Sequence, residues 1–228
     1  MSDALAPEAR AKRKVGYNAV DAYVRDGTCI GLGTGTTAKF AVDRVGELVA
    51  KGWSLRAVPT SVATATQCRS LGIALVSFGD EAIDVAIDGA DETTRGRDLI
   101  KGGGGALFRE KAVALAAATF VVIVTDRKVV AKLGAFALPI EVVPYSLPVV
   151  MRELQTYGVP IVQRMRDGAA YLTDNGNAIV DCAFGTIDDP GALDARLQAI
   201  HGVVDTGLFI GLTAHVLVAR EDGTTDAY

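Results

Sequence analysis

The segment Thr28-Cys29-Ile30-Gly31-Leu32-Gly33-Thr34-Gly35-Thr36-Thr37-Ala38 decides the fold class of this chain. Thr28–Ile30 is a short apolar strand candidate, and Gly31–Ala38 is a loop of glycines and threonines. Beyond it Ala38, Ala41, Val42, Val45 and Val49 fall on one face of a helix. Strand, glycine loop and helix in this order aim backbone N–H groups and the helix dipole at an anion, usually phosphate. Gly33–Ala38 also fits the G-x-G-x-x-A form of a dinucleotide fingerprint. That reading needs an acidic residue at the end of the next strand to hold a ribose. The next strand, Leu55-Arg56-Ala57-Val58, ends in Pro59-Thr60-Ser61 with no acid, so dinucleotide binding is demoted. The G-x-x-x-x-G-K-[ST] phosphate-loop consensus is absent as well. What remains is a hydroxyl-rich loop, Thr34, Thr36 and Thr37, suited to a single phosphate, or else a plain helix N-cap.

Upstream, residues from about Pro7 to Asp26 read as a helix, with Val15, Ala19, Ala22 and Tyr23 at helical spacing and Gly27 where a helix stops. Downstream, Thr60–Leu71 reads as a helix, and Ala74–Phe78 and Asp84–Ile87 as strands. The second strand runs into Asp88-Gly89-Ala90-Asp91-Glu92. Asp-Gly by itself is turn chemistry. Three carboxylates in five residues repel one another, however, and crowding of this kind separates pKa values in a way that proton transfer can use.

Next comes Lys101-Gly102-Gly103-Gly104-Gly105-Ala106-Leu107-Phe108-Arg109-Glu110-Lys111, placed after apolar Leu99-Ile100 and before a helix. Each glycine costs backbone entropy, a cost accepted where the backbone must approach something closely or take positive φ. A tight strand-to-helix connection with ordinary surface charges reads the same way. Ala112–Ala118 is apolar on every side, which predicts a buried helix, and Thr119–Val124 reads as a strand leading to Asp126-Arg127-Lys128. Alternating strands and helices predict a parallel α/β sheet, and ligands of such sheets sit outside the carboxyl ends of the strands. The loops Gly31–Thr37, Asp88–Glu92 and Lys101–Gly105 each follow a strand candidate, which predicts one shared rim. Lys128 lies on that rim or is a solvated surface lysine.

From Leu138-Pro139-Ile140-Glu141-Val142-Val143-Pro144 the texture changes. A helix candidate (Leu147–Tyr157), strands near Val159–Arg164 and Ala170–Thr173, and an Asn175-Gly176 turn follow. Ile179–Ala183, a helix near Gly191–Ile200 and an apolar piece from Val203 complete the segment. This predicts a small α+β domain over 137–205, with a parallel α/β domain over 1–136 plus 206–228 and Ala214–Ala219 returning to it as a final strand.

The chain has 228 residues, enough for one large domain with a smaller satellite. Half of it is apolar, which points to a subunit interface or a large core. A net charge of −4 argues against a nucleic-acid binder. The longest uncharged apolar run, between Lys111 and Asp126, is too short to span a bilayer, and the N-terminus has no apolar signal core. Three cysteines, far apart and odd in number, argue against structural disulfides and for a cytoplasmic home. The two histidines lie away from the glycine loops, His201 read on a surface turn and His215 in a strand, and no C-x-x-C or H-x-x-x-H spacing suggests a metal site. A G-x-S-x-G elbow is also absent. Carboxylates, lysines, hydroxyls and backbone N–H groups are left to do the chemistry. That set suits proton abstraction next to the carbonyl of a phosphorylated substrate.

The segments GLGTGTTA, IDGADE, KGGGGALFREK, LPIEVVP, TDNGN and GVVDTGLF occur in the order found in the type A ribose-5-phosphate isomerase family, which the chain resembles over nearly its whole length. The resemblance implies a Rossmann-like, mostly parallel α/β domain with a smaller, ferredoxin-like α+β domain, assembled as a homodimer or higher homo-oligomer. It implies interconversion of ribose 5-phosphate and ribulose 5-phosphate through an enediolate, without metal or cofactor, in the pentose phosphate pathway. By motif, Glu110 would be the general base, Asp88 and Asp91 would bind sugar hydroxyls and assist proton movement, and Lys101 would stabilise the enediolate. Thr34, Gly35, Thr36 and Thr37 would form the substrate loop, with Gly89, Ala90, Gly102, Gly103, Gly104 and Lys128 as further contacts and Lys12 near the phosphate. The chain departs from the pattern at Ile87, where valine is common, at Gly105, where alanine is frequent, and at Thr36, often serine; no functional group is lost. The alternative is a non-catalytic sugar-phosphate-sensing domain. Such a protein normally carries a DNA-binding domain and can lose the base, and neither feature is read in this sequence.

Overall fold

The computed structural model describes residues 6–220, 222 and 224–228. In chain order the first half runs α1 (Pro7–Tyr23), β1 (Cys29–Leu32), α2 (Ala38–Ala50), β2 (Arg56–Pro59), α3 (Val62–Ser70), β3 (Ala74–Leu75), β4 (Ile83–Gly89), β5 (Glu92–Thr93), β6 (Leu99–Ile100), α4 (Leu107–Ala116) and β7 (Ala117–Thr125). The second half runs β8 (Leu138–Val142), α5 (Leu147–Gln155), β9 (Ile161–Gln163), β10 (Met165–Arg166), β11 (Ala169–Ala170), β12 (Ala178–Cys182), α6 (Pro190–Gln198), β13 (Val203–Thr206), β14 (Leu208–Phe209), β15 (His215–Ala219) and β16 (Thr225–Ala227). Contacts divide the chain into two units. The first holds the chain up to Ala90, Arg109–Val129 and Leu212–Tyr228, and the second Asp91–Phe108 and Val130–Gly211.

The first unit is built on a seven-stranded sheet of order β16-β15-β7-β4-β1-β2-β3. Its strands are parallel except β16, which pairs antiparallel with β15. The middle strands read as unbroken apolar runs because helices cover both faces of a parallel sheet. Ile30, Leu32, Val85, Ile87, Val121 and Ile123 are buried there against Val15 and Ala19 of α1 and Val42 and Val45 of α2. Each such side chain contributes about 1.5–3 kcal/mol on burial. The strand order reverses at β1, whose two parallel neighbours are β2 and β4. A crevice at the carboxyl ends of such a pair is where open α/β sheets take ligands.

The second unit carries the four-stranded antiparallel sheet β13-β8-β12-β9 with α5 and α6. Its β-α-β-β-α-β order is the split βαβ arrangement of ferredoxin-like folds. Leu138, Ile140, Val142, Val150, Leu154 and Leu197 form its core. A second, three-stranded sheet, β14-β6-β5, lies in the same unit. Because β6 pairs with β5 through Thr93↔Leu99 and with β14 through Phe209↔Leu99, the strand before the four glycines belongs here and not to the parallel sheet. The unit is thus larger than the 137–205 segment read from texture. The β10–β11 hairpin turns through Asp167 (φ 52°) and Gly168 (φ 80°), the positive-φ pair that a two-residue hairpin loop requires.

Several elements differ from the sequence reading. Asp88 and Gly89 belong to β4 and make no turn. The strand read at Ala74–Phe78 is only Ala74–Leu75. α4 starts at Leu107 and leaves Leu115 and Ala116 exposed, so it is not buried on every side. It gives way to β7 without a linker, because β4 captures Ala117 opposite Ile83 and ends the alanine-rich helix. The Ala214–Ala219 piece does form β15, in register with β7, and a further strand, β16, follows it.

Candidate active site

Within the first unit, β1 and β4 end side by side, Leu32 opposite Ile87, and their next residues make a fixed contact. The Asp88 carboxylate, 3% exposed, accepts the N–H of Thr34 at 3.1 Å and that of Gly89 at 2.7 Å through Oδ1. Charge-assisted bonds to backbone donors hold a carboxylate where burial alone would be costly. Gly33 is required beside it, since a Cβ there would stand 2.0 Å from Asp88 Oδ1. The Thr34 hydroxyl turns inward to Thr60 (2.7 Å), Ser61 (2.8 Å) and Thr64 (3.1 Å), and Thr64 in turn donates to the Gly33 carbonyl at 2.9 Å. The residues after β2, read from sequence only for lacking an acid, are therefore the anchor of the threonine loop.

Gly35 and Thr36 are exposed and Thr37 is partly buried. Thr37 precedes α2 but makes no side-chain cap bond, so its role is not that of a plain N-cap. Lys12 donates to Thr36 Oγ1 at 3.1 Å and pairs with Glu8 at 2.7 Å, beside a cleft of about 290 Å³ lined also by Lys39 and Phe40. The Lys12 hydrogen bond and charge hold the Glu8 carboxyl below its usual range. Lys128, partly buried, ends a short 3₁₀ turn directly after β7, on the same carboxyl edge of the sheet.

Glu110 lies in the first turn of α4 and is 4% exposed. Val113 packs so closely on β1 that a Cβ at Gly31 would meet its Cγ1 at 2.4 Å. Residues three apart share a helix face. α4 runs back to the amino end of β7, so Glu110, one turn before Val113, lies toward the carboxyl edge that carries Asp88 and the threonine loop. Gly89 and Ala90 continue from Asp88, and Gly89 approaches Thr37.

The second unit holds Asp91, Lys101 and Gly102–Gly104. Lys101 is 2% exposed; its N–H donates to the Gly207 carbonyl at 2.8 Å and its Nζ stands 5.5 Å from the Phe209 ring centroid. A buried ammonium over an aromatic face is stabilised by the ring quadrupole. The following turn closes with Gly105 N–H on Gly102 O (2.9 Å), with positive φ at both glycines, 102° and 82°. Asp91 accepts the Gly103 N–H at 2.8 Å. The third acid of the cluster has another task. Glu92, 4% exposed, accepts the N–H groups of Gly134 (2.7 Å) and Phe136 (2.6 Å), fixing a loop, so it is taken out of the acidic cluster read from sequence.

Sequence reasoning missed the groups that shape these loops: Thr60, Ser61 and Thr64 in the first unit, and Arg164, Tyr171 and Gly207 in the second. Only Gly207 carried a signal, as part of GVVDTGLF. The thiols are not nucleophiles here: all three cysteines are buried, and desolvation pushes Cys68 up to about 11 and Cys182 up to about 12. Among the described residues no group of three or more His, Cys, Asp or Glu side chains could hold a metal ion, and no helix is long and apolar enough to cross a membrane.

Comparison with known proteins points to one family. Residues 56–223 match the family model of ribose 5-phosphate isomerase A (phosphoriboisomerase A). Ribose-5-phosphate isomerase A of Bacillus mycoides is 41% identical over 203 residues, 88% of this chain and 92% of that relative. The solved ribose 5-phosphate isomerase of Plasmodium falciparum superposes with a TM-score of 0.94 at 36% identity, covering 96% of this chain and 98% of its own. A D-ribose-5-phosphate isomerase solved in complex with phospho-erythronic acid gives 0.91 at 34% identity, with 96% and 97% covered. With a family model spanning most of the sequence and relatives of this identity along nearly all of it, the chain belongs to the ribose 5-phosphate isomerase A family.

Proposed function

We propose that this protein interconverts D-ribose 5-phosphate and D-ribulose 5-phosphate as an aldose–ketose isomerase of the non-oxidative pentose phosphate pathway. The observation that carries the reading is Glu110, a buried carboxylate on the first turn of α4 at the sheet edge that also bears Asp88 and the threonine loop. Glu110 removes the C2 proton of the open-chain aldose as the C1 carbonyl oxygen takes up negative charge. It returns the proton to C1, while the O2 hydroxyl proton passes to O1, leaving the ketone at C2. Asp88 and Asp91 hold the sugar hydroxyls and assist that second transfer. Lys101 and the N–H groups of the glycine run face the enediolate oxygens. The phosphate rests at Gly35–Thr37 and the start of α2, with Lys12 and Lys128 supplying positive charge. A positioned base contributes roughly 10²–10⁴ in rate, and each preorganised oxyanion donor about 3–4 kcal/mol.

The sensing alternative finds no support among relatives that are named as isomerases. We propose further that the protein works in the cytoplasm, a reading supported by its three free cysteines. Assembly as a homodimer or higher homo-oligomer is supported by the chain's composition, half of which is apolar. The test is turnover of ribose 5-phosphate in D₂O. Ribulose 5-phosphate carrying deuterium at C1 is the expected product, whereas binding without turnover would reject the isomerase in favour of a sensor.

A further inference from the structure

The second unit contains a cation whose place in the fold is explained by the glycine run. Arg164, just after β9, forms a two-point ion pair with Asp181 of β12, Nε to Oδ2 at 2.9 Å and Nη2 to Oδ1 at 2.5 Å. This pairing uses one edge of the guanidinium and fixes its plane. The remaining nitrogen, Nη1, donates to the carbonyls of Gly102 (2.8 Å) and Gly103 (3.3 Å). Tyr171, at the far end of the β10–β11 hairpin, donates to the next carbonyl, Gly104 O, at 3.4 Å. Three successive carbonyls of the run are thus turned to one side.

In a trans peptide the C=O and the following N–H point in opposite directions. With the Gly102 carbonyl on Arg164, the Gly103 N–H must face away, and it does so onto Asp91 Oδ2 at 2.8 Å. The next peptide obeys the same rule: the Gly103 carbonyl lies on Arg164, so the Gly104 N–H faces the Asp91 side. Gly104 is exposed, and among the described residues its N–H meets no acceptor. Free glycine would sample many orientations of this peptide; the guanidinium selects one.

We infer that Arg164, held by Asp181, is a positioning residue for the reaction: it grips the carbonyl side of Gly102–Gly103 and thereby aims the Gly104 N–H at the oxygen that becomes negative in the enediolate. The inference rests on the isomerase reading for the identity of that oxygen, but the clamp itself does not. Arg164 touches no reacting atom in this account. Its loss therefore acts on kcat, because the affected donor matters most where charge develops, and leaves ground-state anchoring of phosphate alone.

The experiment compares wild type with Arg164→Gln, Arg164→Lys and the isosteric Asp181→Asn. It measures kcat and KM with ribose 5-phosphate, competition by inorganic phosphate, and amide hydrogen exchange over residues 101–107. Misaiming one donor is expected to lower the kcat of Arg164→Gln by about 100-fold. KM and the phosphate inhibition constant should stay within about two-fold, and Arg164→Lys should recover part of the loss by reaching one carbonyl. Exchange at Gly103 and Gly105, whose N–H groups are bonded, should quicken in Arg164→Gln while the first unit exchanges as before. An unchanged kcat in Arg164→Gln, or a fall in kcat matched by an equal change in phosphate competition, would overturn the assignment. Should Arg164→Gln not fold, Asp181→Asn decides: faster exchange in the glycine run with lowered kcat supports the clamp, and wild-type values for both overturn it. If the wild type itself fails to turn over ribose 5-phosphate, it is the functional reading that has failed. The clamp is then judged on exchange alone, with equal rates in wild type and variants overturning it.

Discussion

The two glycine loops of this molecule each hold a backbone N–H on a carboxylate, but only the second has carbonyls gripped by a cation. After β1, the loop is tied by a donor: the Thr34 N–H goes to the Asp88 carboxylate, and the Thr34 hydroxyl enters a knot of neutral hydroxyls. After β6, the Gly103 N–H likewise goes to Asp91, but the loop is tied by its acceptors as well: the carbonyls of Gly102 and Gly103 go to a guanidinium. An anion that is fully charged throughout, such as a phosphate, needs a permanent cradle, and the helix start behind the first loop offers one. An oxygen that is charged only in passing needs donors already aimed at it, and tying carbonyls to a fixed cation does that. The first loop should accordingly govern affinity and the second turnover.

The largest test of this division is Glu110→Gln. Loss of the proposed base should cut kcat by about 1000-fold, toward the upper end for general base catalysis, while competition by inorganic phosphate stays as in wild type. A parallel loss of phosphate competition would break the distinction between anchoring and chemistry. Gly33→Ala attacks the first loop at its tie. The added Cβ would stand 2.0 Å from Asp88 Oδ1 and 2.6 Å from Asp88 Cβ, close to the main chain, so the strand end itself must yield. A loss of about 3 kcal/mol in urea unfolding is expected, the upper range for overpacking. The same change at Gly105 meets only the tip of Tyr171 and a positive φ, and should cost about 1–2 kcal/mol, as left-handed backbone does for other residues. Equal losses would mean that the two loops are not held as differently as their partners suggest. The smallest effect belongs to Thr36→Val, which removes the Lys12 contact while keeping shape. KM should rise by about 3–10-fold with kcat unchanged, as one hydrogen bond of about 0.5–1.5 kcal/mol is lost. A change confined to kcat would contradict the assignment of this loop to affinity.

What could be read from the sequence follows the same line. The glycine runs and IDGADE announce themselves because close backbone approach and crowded acids are local peculiarities of composition, whereas the role expected of the glutamate of REK came only from the family resemblance. The parallel sheet was legible from strand–loop–helix order around Gly31–Ala38. Groups that act across the chain left no such mark. Arg164 reaches carbonyls more than sixty positions earlier, and nothing near it in sequence distinguishes it from a surface arginine. Glu92 looked like a third member of an acidic cluster because strand alternation, which sends it away from Asp91 to the N–H groups of Gly134 and Phe136, depends on pairing with β6. The lone parallel rim failed at Lys101–Gly105 for a related reason: two apolar residues before the run are enough for a strand in either sheet, and only their distant partner β14 decides.

That dependence has a bearing on how the protein comes into being. The glycine run is shaped by Arg164, and the backbone of Lys101 is pinned by Gly207, both far downstream in the order of synthesis. Closing so long a stretch of chain carries an entropic cost that must be met before these contacts form. A growing polypeptide will therefore carry Glu110 and the parallel strands β1, β2, β3, β4 and β7 well before it possesses an aimed glycine loop, with β15 following only after Gly207.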